Sequence, residues 1–307
     1  MKDLIRRTAL AIAALAASLS AAAPARQALP APVAQQQPAP PPARPAMWKV
    51  ADADTTIYLF GTIHALPKGI EWFDGKIAAA FENSQELVTE IVETEPAQMQ
   101  KAVLATGVLP AGKSLRDMLA PRQKADFEAA LMANGLPVQT FDRMKPWYAA
   151  VFLSTLPILQ GGFDPANGVE QALSARGKAL GRAHSALETA EYQLGLFDSL
   201  LEDVQLRYLG EVVENMPEAR NVLTKMVEAW KRGDAATLAR MMNEEEDDPV
   251  LLERLLTNRN KAWAEWIGKR LDRPGTVFLA VGAGHLAGDG SVQDQLASKG
   301  IAAARVQ

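Results

Sequence analysis

Two apolar runs at opposite ends of the chain finish in the same pattern: a glycine, two further residues and a histidine. "YLFGTIH" ends at His64 and "FLAVGAGH" ends at His285, and the chain has only three histidines. A glycine three positions before each histidine lets the backbone turn or approach a ligand closely. Imidazoles in such positions serve as metal ligands or as hydrogen-bonded structural groups. Because both histidines share one context, the pattern favours a joint role in a site.

Two glutamates occupy comparable positions. Glu90 comes late in "ELVTEI", and Glu188 follows "AHSAL". Since functional groups gather at the carboxyl ends of strands in α/β sheets, we expect these side chains to meet the two histidines at one edge. Imidazoles and carboxylates together suit Mn²⁺, Co²⁺, Fe²⁺ or Zn²⁺, and a metal so held activates water for hydrolysis. The sequence therefore predicts these four residues as candidates for a metal site, in which a spare glutamate acts as general base.

Strand signals fall near both ends of the chain. "MWKVADADTTIYLFGTIH" predicts two strands around an Asp-rich turn, and "QELVTEIV" predicts a third. "GTVFLAVGAGH" is almost continuously apolar, as expected of a strand covered on both faces. "AHSALE" and "IAAARV" are weaker candidates.

Helical periodicity dominates the middle of the chain, roughly from residue 95 to residue 270. One apolar stretch, "KPWYAAVFLSTLPILQ", predicts a buried helix broken at Pro157. The fold class predicted is α/β (α+β): a small sheet of strands from both ends of the chain, with a long helical insertion.

The first 46 residues do not read as part of this fold. Residues 1–24 combine a basic start, an apolar Ala-rich segment and small residues, as a secretory signal peptide does. Residues 25–46 form a Pro/Ala/Gln-rich stretch typical of a disordered linker, followed by one domain at 47–307. We expect a periplasmic or secreted protein without a stable membrane anchor after cleavage; the alternative is an uncleaved anchor.

Composition excludes several classes of function. Residues 47–307 hold 27 Lys and Arg against 35 Asp and Glu, a net charge of −8, which argues against nucleic acid as a partner. The absence of cysteine excludes disulfides, thiolate nucleophiles and zinc–thiolate sites. His184 precedes a strand candidate instead of following it, so we interpret it as structural. The tryptophans Trp230, Trp263 and Trp266 lie on helical faces and are predicted to belong to the core.

Six blocks of the sequence, in order, resemble the TraB/GumN family, which includes bacterial pheromone-shutdown proteins and the animal Tiki proteins. They are "GTIHALPKGIEWF", "AFENSQELVTEI", "GVEQALSARGKALGRAHSALETAEYQL", "MVEAWKRGDAATL", "TNRNKAWAEWI" and "VFLAVGAGHLAGDGSVQDQLASKGI". The resemblance covers the chain from about residue 47 to its end. It implies two sheet-forming halves around a helical middle and, for the Tiki branch, a protease dependent on Mn²⁺ or Co²⁺.

The resemblance also implies roles for individual residues. The paired motifs are Gly61/His64 and Gly282/His285, and Glu90 matches the acidic residue after the first motif. Further matching positions are Glu170, Glu188, Gln193, Arg259 and Asn260. Of these, Gln193, Arg259 and Asn260 are expected to bind substrate, and Arg259 either binds a substrate carboxylate or pairs with a buried glutamate.

The function expected is therefore an exported metal-dependent hydrolase that acts on a peptide or protein. His64 and His285 are expected to bind the metal, with Glu90 as the third ligand or a catalytic base and Glu188 as the other catalytic acid or base. Mn²⁺ or Co²⁺ is favoured as the cofactor, and Zn²⁺ or Fe²⁺ is the alternative. Two other hypotheses stay open: a non-catalytic peptide-binding or sequestering protein, and a factor in polysaccharide export. Tiki proteins are membrane-anchored, whereas this chain has the features of a soluble exported form.

Overall fold

The computed structural model describes residues 42–92, 95–244 and 248–307 of the chain. One mixed sheet is built from β1 (Met47–Ala51), β2 (Thr55–Thr62), β3 (Glu86–Thr89), β4 (Ala183–Ala186), β5 (Gly275–Gly282) and β6 (Ala304–Arg305). The predicted fold class is confirmed, since the strands come from both ends of the chain and the helices lie between them. The predicted signal peptide and most of the predicted linker lie outside the described residues.

The strand order is β4-β3-β5-β2-β1-β6. β4, β3, β5 and β2 run parallel, whereas β1 pairs antiparallel with both β2 and β6. Thr62 pairs with Gly282 at the end of one strand pair, and Thr89 pairs with Ala186 at the end of another. All four parallel strands therefore end at the same edge of the sheet, where the residues that follow them come together.

The sheet is covered on both faces, as the apolar pattern of β5 predicts. Phe278 faces one core together with Phe60 and Trp230. Leu279 faces the opposite core together with Trp263. Alternation along the strand thus buries successive side chains on opposite sides, which fixes the register of the central strands.

Most helices lie in the middle of the chain; one more connects β2 to β3, and another connects β5 to β6. In order, they are α1 (Gly75–Glu82), α2 (Pro96–Thr106), α3 (Leu115–Met118), α4 (Pro121–Ala133), α5 (Pro146–Gln160), α6 (Val169–Ala179), α7 (Ala190–Asp198), α8 (Glu202–Asn215), α9 (Ala219–Lys231), α10 (Ala235–Ala239), α11 (Pro249–Leu252), α12 (Asn258–Leu271) and α13 (Val292–Ala297). Much of the insertion has a core of its own, in which Trp147, Phe197 and Tyr208 are packed.

The predicted break at Pro157 is wrong, because α5 continues through it to Gln160. Pro157 removes one amide donor, but its own carbonyl accepts from the amide of Gly161 at 2.9 Å, so the turn that follows it still forms. None of the helices in the described ranges has the length and apolarity needed to cross a membrane.

Candidate functional site

The four strand-end residues predicted from the sequence emerge at the shared edge of the sheet. His64 lies two residues beyond β2, Glu90 directly follows β3, Glu188 lies two residues beyond β4, and His285 lies three beyond β5. The backbone amide of Glu188 donates to the carbonyl oxygen of Glu90 at 2.8 Å, which continues the β3–β4 pairing past the strands. The sheet topology therefore places the four side chains around one region.

Glu90 is buried and accepts hydrogen bonds on both carboxylate oxygens. The amide of Gly282 donates to Oε1 at 2.8 Å. Arg259 Nη2 and Gln193 Nε2 donate to Oε2 at 2.5 and 3.1 Å. Burial opposes ionisation of Glu90, but the guanidinium of Arg259, the two imidazoles and the amide of Gly282 together outweigh it, so the pKa of the carboxyl lies well below its usual range. Glu90 is thus a fixed, ionised carboxylate.

Arg259 is the centre of the polar network, and all five of its N–H groups are engaged. Nε donates to Glu188 Oε1 at 2.9 Å, and Nη2 donates to Glu188 Oε2 at 2.8 Å besides its bond to Glu90. Nη1 donates to the carbonyl of Leu255 and to His285 Nε2, both at 3.1 Å. Of the two roles expected for Arg259, the structure displays pairing with buried glutamates.

The local chain geometry explains how Arg259 reaches this position. It is the second residue of α12, which follows a π-helical turn at Glu253–Thr257. Such wide turns are frequent at functional sites. One helical turn later, Trp263 packs its ring 4.8 Å from the guanidinium and donates from Nε1 to Glu188 Oε1 at 2.9 Å. Gln193 Nε2 also donates to Glu188, at 2.9 Å, so the oxygens of this carboxylate are held by three side chains.

His285 is held in one tautomer. Its Nδ1 lies 2.7 Å from Asn260 Oδ1, and Asn260 Nδ2 donates to the carbonyl of Gly290 at 2.8 Å. Because that second bond fixes the orientation of the amide, Oδ1 is the acceptor and Nδ1 carries the proton. Nε2 is then the unprotonated nitrogen that accepts from Arg259. Asn260, expected to bind substrate, is completely buried and instead orients the histidine.

His64 has different surroundings. Its Nδ1 lies 2.6 Å from Glu170 Oε1, and the hydroxyl of Thr62 donates to the same oxygen. Its Nε2 makes no hydrogen bond within the described part of the chain. Burial lowers the pKa of His64, but the charge and hydrogen bond of Glu170 outweigh it, so the pKa is raised above its ordinary value.

Gly282 marks the point where the three predicted ligands approach one another. A Cβ at this position would lie 3.2 Å from Glu90 Oε1, 3.6 Å from His285 Cδ2 and 3.9 Å from His64 Nε2. A side chain would therefore fill the space that these groups face, which gives a steric reason for glycine here.

The donor types fit a divalent cation on one side of this space. The neutral ring of His64 presents Nε2, and Glu90 Oε1 accepts, among the described residues, only the amide of Gly282, so each atom has a lone pair to offer. On the other side, Arg259 occupies His285 Nε2. Within the described ranges, no three His, Asp or Glu side chains surround one point closely enough to hold a metal ion. A third bond from His285 requires its Nε2 to exchange Arg259 for the ion.

The structure brings all the predicted site residues into one cluster. It adds Trp263 and Thr62, and it gives a contact to Glu170, which the family resemblance had named without a role. Trp263 was expected in the core; it is buried, but its indole N–H binds Glu188. Glu170 contacts His64 and Thr62 donates to Glu170, and no role had been assigned to either from the residues alone. Because Arg259 and Trp263 are four residues apart on one helix, they lie on the same face, and this spacing could have predicted that the tryptophan belongs to the site.

His184 lies outside this cluster. Its Nε2 is 2.8 Å from the hydroxyl of Thr89, which itself donates to the carbonyl of Ile91, so the imidazole is the donor. Burial lowers its pKa. These contacts agree with the structural role predicted for it.

Comparisons with known proteins support the resemblance found in the sequence. A protein of Escherichia coli (strain K12), the uncharacterized protein YbaP, is 22% identical over 243 residues, which cover 78% of this chain and 87% of that protein. An uncharacterized protein of Treponema pallidum (strain Nichols) is 22% identical over 264 residues, covering 80% and 78%. No solved structure matches the chain. The profile of the TraB/PrgY/gumN family matches residues 46–305, and the chain therefore belongs to that family.

Proposed function

We propose that this protein is an exported, metal-dependent hydrolase of peptide bonds. The observation that carries the proposal is the convergence of His64, Glu90 and His285 on the space beside Gly282, from strands at opposite ends of the chain. Both histidines have their Nδ1 bound to an oxygen, so each would bind a ligand through Nε2, although Nε2 of His285 accepts from Arg259 in this structure.

His64 and Glu90 would hold the ion, with His285 as the third ligand once Arg259 releases its Nε2. Mn²⁺ or Co²⁺ is the favoured ion, with Zn²⁺ or Fe²⁺ as the alternative. When bound, such an ion lowers the pKa of a water molecule and polarises a carbonyl group. Glu90 acts as a ligand rather than a base, because its Oε2 is already held by Arg259 and Gln193.

The remaining residues orient these groups. Glu188, considered as an acid or base, has its oxygens bound to Arg259, Gln193 and Trp263, so we assign it to holding Arg259 in place. Arg259 in turn pairs with both Glu90 and Glu188 and offsets one of their two negative charges. Contact with a substrate carboxylate would require Arg259 to give up one of its five existing bonds.

The engagement of Arg259 also favours a second candidate, a peptide-binding protein that does not cleave. A site whose cation position is already filled by a guanidinium needs no metal to be stable. In that case peptide would be bound stoichiometrically, and chelators would have no effect.

A cleavage screen separates the two candidates. The mature chain is incubated with a peptide library and Mn²⁺, Co²⁺ or Zn²⁺, and products are identified by mass spectrometry. The proposal predicts products that disappear with a chelator and in His64→Ala, but persist in His184→Ala, which removes the histidine outside the site. Peptide captured intact, with or without metal, would support the binding protein instead.

Export is proposed from residues 1–24. Expression of the full chain in a bacterium, followed by periplasmic fractionation and N-terminal sequencing, is expected to give a mature start within a few residues of Ala21 to Ala25. An intact N-terminus in the membrane fraction would show the uncleaved anchor.

A further inference from the structure

Glu170 is attached to His64 by the architecture of the chain around it. The amide of Val169, at the start of α6, donates to the carbonyl of Ile63 at 3.1 Å. Gly168 packs directly on the backbone of His64, and a Cβ there would overlap the carbonyl oxygen of that residue. The first turn of α6 is therefore fixed against the segment that carries the histidine.

A second connection lies on the other side of His64. Leu66 and Asp164 exchange backbone hydrogen bonds of 3.3 and 3.1 Å, and Asn167 Nδ2 donates to the carbonyl of Leu66 at 3.3 Å. The histidine segment is thus held by residues 164–169 on both sides. Because these bonds are made by the backbone or short side chains, the distance between Glu170 and the imidazole is set with little freedom.

The carboxylate of Glu170 is used in an asymmetric way. Oε1 accepts from both Thr62 and His64, whereas Oε2 is buried and has no partner among the described residues. An acidic residue in the first turn of a helix is favoured by the helix dipole, but that effect does not require contact with an imidazole. The contacts that orient this carboxylate are therefore those with Thr62 and His64.

We infer that Glu170 is a positioning residue that holds the neutral imidazole of His64 with the proton on Nδ1 and with Nε2 unprotonated beside Gly282. The inference deepens the proposed function at the same site. A carboxylate that accepts from Nδ1–H fixes both the tautomer and the ring orientation of a histidine. It serves His64 equally whether Nε2 takes up an ion or the proton of a water molecule.

The chain is well suited to a direct test, because it has only three histidines. Nitrogen NMR of the imidazole rings, recorded on the mature protein without metal, reports which nitrogen carries the proton in each neutral ring. Because Glu170 raises the pKa of His64, the pH is increased above the ordinary histidine range until all three rings are neutral. We expect Nδ1–H for His64 and for His285, and Nε2–H for His184, whose Nε2 donates to Thr89. A wild-type His64 signal of the Nε2–H form overturns the inference, whatever any variant does.

The variant Glu170→Leu removes the acceptor and keeps the approximate volume. Its His64 is expected to change to the Nε2–H form that a free imidazole prefers, while the signals of His285 and His184 stay unchanged and so show that the fold is intact. The control Glu191→Leu removes a carboxylate from the first turn of α7, and should leave all three signals in place. An Nδ1–H His64 in a folded Glu170→Leu protein contradicts the inference.

The consequence for ion binding is measured separately by calorimetric titration with Mn²⁺ or Co²⁺. Loss of a residue that orients a ligand usually weakens metal affinity about 10–100-fold, and we expect that range for Glu170→Leu and no change for Glu191→Leu. If neither wild type nor variant binds an ion, the proposed function fails, yet the NMR result still decides the role of Glu170.

Discussion

The two histidines end equivalent parallel strands but belong to different kinds of environment. His285 lies in a closed network, where Asn260 and Arg259 occupy its two nitrogens and Arg259 also joins Glu90 to Glu188. His64 has one nitrogen bound to Glu170 and the other directed toward the space beside Gly282. On the His285 side, the protein satisfies the polar groups. On the His64 side, Nε2 makes no hydrogen bond with the described residues.

This difference separates the residues that build the site from those that would act in it. A buried ion pair is costly to break, because removing one partner leaves the other charge unpaired in a medium of low dielectric constant. The Arg259 network therefore behaves as a frame. The His64 side depends on a single carboxylate and on tight backbone packing, so it can be altered with less effect on the fold.

The largest effect is expected from removing the charge at the centre of the frame. Arg259→Met leaves Glu90 and Glu188 buried without their cation, and should lower the free energy of unfolding by about 3–5 kcal/mol. Chemical denaturation of the mature protein measures it.

Arg116 offers a matched control, because it also joins two carboxylates, Asp142 and Glu128, but in the helical insertion and with its side chain 20% exposed. Arg116→Met should lower the free energy of unfolding by much less than Arg259→Met, because solvent screens its partly exposed ion pairs. Equal losses of unfolding free energy in the two variants would show that the Arg259 network stabilises the fold no more than a partly exposed ion pair does.

A smaller effect is expected on the His64 side. Gly168→Ala places a methyl group on the backbone of His64, and overpacking of this kind costs about 1–3 kcal/mol. The control is Gly195→Ala in α7, where a Cβ would meet no atom within 4 Å and the better helix propensity of alanine should add about 0.5–1 kcal/mol. Thermal and chemical denaturation compare the two; a neutral Gly168→Ala would mean that the contact between α6 and His64 is loose.

The smallest effect concerns the histidine that belongs to neither environment. Because burial lowers the pKa of His184 in the folded state, the unfolded chain binds more protons to it below about pH 6.5. Its contribution is therefore present at neutral pH and is lost as pH falls. Between about pH 7 and pH 5, His184→Gln should lose less stability than wild type, by under about 1 kcal/mol. A steeper loss of stability on acidification in the variant than in wild type would contradict the lowered pKa of His184.

The sequence predicted the strands and the residues at their ends well, because burial on both faces of β5 and β2 leaves an unmistakable apolar run. It also placed Glu90, Glu188 and both histidines at a common edge, since parallel strands impose that. The partner of His64 was not predictable in this way. Glu170 lies 108 residues from Thr62, so no periodicity connects them. It reaches His64 because Gly168, which comes just before it in the chain, packs on the backbone of that histidine. Likewise, α5 continues through Pro157 to Gln160, which the local preference of proline did not predict.

The most direct test of the account is calorimetric titration of the mature protein with Mn²⁺, Co²⁺ and Zn²⁺, in parallel with the His64→Ala/His285→Ala double variant. The account predicts one divalent ion bound per wild-type chain and none bound by a folded double variant. Absence of binding to wild type for all three ions, or unchanged binding in the double variant, would contradict the metal site and move the peptide-binding role ahead of hydrolysis.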